Sequence, residues 1–127
     1  MREILFRGKR VDSGEWETGS LVYARMGTSE EQASIADKMT AYHTPVIPET
    51  VGQYTGLKDL HGTRIFEGDV VKSIAAWYVV EFENGGYGLR PFGKGKLIPI
   101  MGHGNFNENE VEVIGNVYDN QELLKGE

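Results

Sequence analysis

Residues 50–71 constrain this chain more than any other stretch, because short apolar runs alternate there with turn residues at intervals too close for a helix. Thr50-Val51-Gly52-Gln53-Tyr54-Thr55-Gly56-Leu57-Lys58 reads as one strand, Ile65-Phe66 as a second and Val70-Val71 as a third. Asp59 and Gly62 stand three apart, as the ends of a type I turn do. The aspartate can accept from the turn backbone, and glycine tolerates the positive φ that often follows. Gly68-Asp69 punctuates the chain again before an apolar pair. A sheet protein of short strands and tight turns is the expectation.

The rest of the chain agrees. Glycine accounts for 17 of 127 residues, roughly twice its ~7% background share. The length suits a single domain with its own core. Ile4 and Phe6 alternate with Glu3 and Arg7; residues 11–15 form a turn, and residues 16–24 return. That predicts an N-terminal β-hairpin over about residues 1–25, with Gly19 marking a bulge or close packing. A variable segment follows over about 27–44. Its overlapping capping boxes, Thr28 with Glu31 and Ser29 with Gln32, leave a short helix and a polar insertion both open. Residues 40–46 can re-enter as a strand.

A β-barrel-like core is expected over about 46–127. Residues 77–83 are its clearest strand, with Tyr78, Val80 and Phe82 on one face and Trp77, Val79, Glu81 and Glu83 on the other. Asn84-Gly85-Gly86 is a hairpin signal, since both turn positions take positive φ. Pro99 makes residues 97–101 an edge strand. Residues 110–118 alternate until Gly115 interrupts them. Asp119 with Glu122 is an acidic capping box, predicting a short C-terminal helix over 120–125.

Charge and composition exclude several classes. Cysteine is absent, so disulfides, thiolate metal sites and cysteine nucleophiles are ruled out. Charge breaks the first apolar run at Arg7, unlike a signal peptide, and no segment has the ~20 apolar residues of a membrane helix. A bacterial cytoplasm and no membrane partner are expected. The net charge of −6 opposes strong non-specific nucleic-acid binding.

Arg7-Gly8-Lys9-Arg10 with Gly14-Glu15-Trp16 opens a longer pattern. It continues through Pro48-Glu49-Thr50-Val51-Gly52-Gln53-Tyr54-Thr55-Gly56-Leu57-Lys58-Asp59, Gly62, and Glu67-Gly68-Asp69-Val70-Val71. It ends in Val113-Ile114-Gly115-Asn116-Val117-Tyr118 with Glu122-Leu123-Leu124. In order and spacing these residues resemble the YopX family, small proteins of bacteriophages and prophages. The resemblance runs nearly the whole chain and fades over 27–44 and 91–107. Gln121 stands where relatives often carry proline at the helix start. The resemblance implies a single YopX-like domain of phage or prophage origin. It also implies a mainly β fold (β or α+β) related to small SH3-like barrels, with no assigned catalytic residue.

Candidate chemistry is thin. Residues 88–95 approach a phosphate-binding loop, but Gly95 stands where magnesium needs a hydroxyl, and Leu97-Ile98-Pro99 is no helix start. Arg90, Lys94 and Lys96 around Phe92 form a basic, aromatic loop of the kind that grips single strands; a solvated loop is the favoured reading. His43, His61 and His103 lack ligand spacing, and paired glutamates on a strand most often mark its solvent face. No cofactor or metal is expected. The sequence therefore points to a non-enzymatic accessory protein that binds a phage or host protein or forms a homo-oligomer, with Trp16 and Trp77 as outward aromatics. The alternative is a nucleic-acid-associated module using Arg90, Phe92, Lys94 and Lys96.

Mg-ATP and zinc are expected to leave the melting temperature unchanged. A specific ligand at a hundredfold excess over its dissociation constant would add about 2.7 kcal/mol. A concentration-dependent rise with Mg-ATP that Lys94→Ala removes would contradict this.

Overall fold

The computed structural model describes residues 3–25, 31–37, 39–40, 42–73, 76–83, 85–91, 98–99 and 110–122. The chain forms two compact units, Met1–Tyr54 and Thr55–Glu127. In the first lie β1 (Phe6–Lys9), β2 (Trp16–Ala24), β3 (Gln32–Ala36) and β4 (His43–Pro45), then a 3-10 turn at Pro48–Thr50. β5 (Gly52–Lys58) begins in the first unit and ends in the second. The second continues with β6 (Arg64–Phe66), β7 (Asp69–Lys72), β8 (Trp77–Glu83), β9 (Gly86–Pro91), β10 (Ile98–Pro99) and β11 (Glu112–Asn116). One sheet has the order β4-β3-β2-β1-β5-β6 and the other β10-β9-β8-β7-β11.

In the first unit β2 serves two partners. Its residues 16–19 pair with β1, and residues 20–24 pair with β3. β4 returns beside β3, and its end meets the end of β1 through an isolated bridge between Arg10 and Val46. The Ile47 amide donates to the Lys9 carbonyl at 2.8 Å, and the Val11 amide to the Pro45 carbonyl at 3.1 Å. The sheet thus curls until the end of β4 touches the end of β1. Two glycines allow the curl. A Cβ on Gly8 would stand 3.0 Å from Val46 Cβ, and one on Gly19 2.3 Å from the Ala36 carbonyl oxygen. Inside, Ala33, Ile35 and Val46 are buried, with Phe6, Leu21 and Val51 packed against them.

β3 resolves the open reading of residues 27–44. Ala33 and Ile35 face the core, and β2 and β4 satisfy the strand's backbone from both sides. Long-range pairing outweighs the weak local helical signal. Residues 26–30, with the capping boxes at Thr28 and Ser29, lie outside the described residues.

In the second unit the register sets one face. Val71 opposes Tyr78 and Val113, Val80 opposes Leu89, and Phe82 opposes Tyr87. Ile65, Val71, Val80, Tyr87, Leu89 and Val111 form the buried cluster there. Burial in β8 follows the alternation only at its centre: Val80 is buried in this cluster, but Val79 on the opposite face is buried too, and Phe82 is 51% exposed. The β8–β9 hairpin closes at Gly85, whose φ is 82°. β11 carries a register shift between Val113 and Gly115, the interruption expected at that glycine.

Two fold expectations are corrected. Among the described residues neither sheet closes along its length into an SH3-like barrel; in the first unit the ends of β4 and β1 meet at an isolated bridge. No α-helix element is found among them either. Asp119, the cap expected for residues 120–125, takes part in a turn at the end of β11. Asn116 Oδ1 accepts from the amides of Tyr118 and Asp119 at 3.0 and 2.9 Å, and Asn116 Nδ2 donates to Asp119 Oδ2 at 3.2 Å. The carboxylate is thereby turned back onto the strand end; residues 123–127 lie outside the described set. No helix among the described residues is long and apolar enough to cross a membrane.

Glycine substitutions separate the devices. Gly62 has φ +81° with nothing near its absent Cβ, whereas Gly68 has φ +93° and Tyr118 Cε2 at 2.9 Å. Gly62→Ala is expected to cost about 1–2 kcal/mol by strain alone, and Gly68→Ala and Gly19→Ala about 2–3 kcal/mol each. Denaturant midpoints check the order; equal losses at Gly62 and Gly68 would remove the Tyr118 contact from the account.

Candidate functional site

A carboxylate serves chemistry only if the fold leaves it available. Asp59, 6% exposed, is fully engaged. Its Oδ1 accepts from the amides of His61 at 2.8 Å and Thr63 at 2.9 Å, and its Oδ2 from the amide of Val113 at 2.9 Å. Burial alone would raise its pKa, but the amides of Val113, Thr63 and His61 together hold it below the usual carboxylate range. Asp69 is buried as well, and its Oδ2 accepts from the Phe66 amide at 2.7 Å, a turn cap as the sequence suggested.

The paired glutamates of β8 have a basic partner. Arg90, on the neighbouring strand, donates from Nε to Glu81 Oε1 at 2.9 Å and from a terminal nitrogen to Glu83 Oε2 at 3.2 Å. Its side chain is only 18% exposed. The hydrogen bond to Glu81 raises its pKa, so the charge is fixed and locally balanced. Of the basic loop foreseen from sequence, Arg90 is therefore turned onto the sheet. Phe92, Lys94 and Lys96 lie outside the described residues.

Histidines do not converge. His61 Nε2 lies 3.3 Å from Glu112 Oε2, both side chains exposed, while His43 is half-buried on β4. His103 lies outside the described residues. Among those described, no group of three or more His, Asp or Glu side chains is arranged to hold a metal ion.

The two tryptophans occupy different units. Trp77 opens β8 opposite Lys72, half-buried, on the face away from the buried cluster. Trp16 opens β2 opposite Lys9, also half-buried. The Arg7 guanidinium carbon lies 4.5 Å from the Trp16 ring centroid and Lys9 Nζ 5.8 Å. Both are within range of a cation–π attraction. Arg7 and Lys9 alternate with the inward Gly8, so they share the outer face of β1. Trp16 is thus less open than the sequence suggested. Sequence reasoning missed this trio, although Arg7-x-Lys9 and a hairpin return at Trp16 were both visible; the register that superposes them was not.

The family model for YopX protein matches residues 5–125. The chain belongs to the YopX family. No curated protein is a significant match. Among solved structures, the crystal structure of protein EF1440 from Enterococcus faecalis is similar, with a TM-score of 0.58 over 98% of this chain and 99% of that one at 18% identity. At that identity the likeness is one of fold. The residues that carry the YopX resemblance have structural tasks: Gly8 admits Val46, Gly68 admits Tyr118, and Asp59, Asp69 and Asn116 cap turns.

Asp59 makes stability pH-dependent with a definite sign. Its folded pKa is depressed, so its contribution is present above the unfolded value of about 3.9 and fades as pH falls through the folded value. Asp59→Asn replaces one acceptor with a donor facing an amide and is expected to cost about 1–3 kcal/mol at neutral pH. Urea midpoints from pH 6 to pH 2 should fall less steeply in the variant; parallel curves would show that Asp59 does not couple folding to protons.

Proposed function

We propose that this YopX-family chain is a non-enzymatic accessory protein of phage or prophage origin, acting in the bacterial cytoplasm through protein–protein contact, its own copies included. The observation that carries the reading is the use of Asp59. This buried carboxylate, the sort of group an enzyme would set apart for proton transfer, has both oxygens taken by backbone amides. Asp69, Asn116 and Arg90 are spent on turns and strand faces in the same way. Family membership supports the phage origin. The nucleic-acid reading has less support, because Arg90 already answers to Glu81 and Glu83.

Light scattering coupled to gel filtration tests the contact with itself. A mass that is a multiple of 14.2 kDa is expected at micromolar concentration, reduced by substitution at Trp16 or Trp77. A monomer at every concentration, together with no protein cross-linked to the chain in host cells, would overturn the proposal.

A further inference from the structure

We draw no further inference here: the strongest candidate, the exposed apolar patch of Val11, Pro45 and Ile47 at the β4–β1 seam, carries none, because nothing in the structure shows what covers it.

Discussion

The second unit depends on one ionised carboxylate in a buried place. Asp59 closes the β5–β6 turn with one oxygen and reaches across 54 residues to the Val113 amide with the other. β11 pairs with β7 on its remaining side, so this single side chain ties the start of the unit to its last strand. A buried carboxylate is tolerable only when its lone pairs are filled, and here backbone amides fill them. The Leu60 amide adds a bond to the Val111 carbonyl at 3.1 Å, extending the seam.

The first unit solves the same problem by steric means. Its sheet has few residues with which to enclose a core, so it coils until β4 meets β1, and glycine at positions 8 and 19 permits the approach. Thr50 then locks the seam: its hydroxyl oxygen accepts from the Lys9 amide at 2.9 Å, and its hydroxyl donates to the Ile47 carbonyl at 2.6 Å. In both units a side chain or a bridge takes up backbone groups that a plain edge strand would expose. At the β4–β1 seam and the β5–β6 turn these groups are therefore withheld from strand addition.

The same economy bears on chemistry. Of the buried polar side chains, those of Thr50, Thr55, Asp59, Asp69 and Asn116 bond to backbone, whereas the Ser34 hydroxyl is buried on β3 without a hydrogen-bond partner among the described residues.

Local signals in the sequence determined the turns and the strands they join. Asp59 with Gly62, and Gly85 in its hairpin, act within a few residues, through a side-chain cap and positive φ, so their meaning does not depend on distant partners. The YopX pattern was legible for a related reason, since its residues are those the turns and close approaches demand. Three things were decided only in three dimensions. β3 became a strand because β2 and β4 flank it, against a locally helical composition. The Asn116 side chain bonded the Tyr118 and Asp119 amides and the Asp119 carboxylate, a turn that the capping-box spacing did not announce. Arg7, Lys9 and Trp16 came together through hairpin register, which depends on the geometry of the turn between them and is not written in the alternation of either strand.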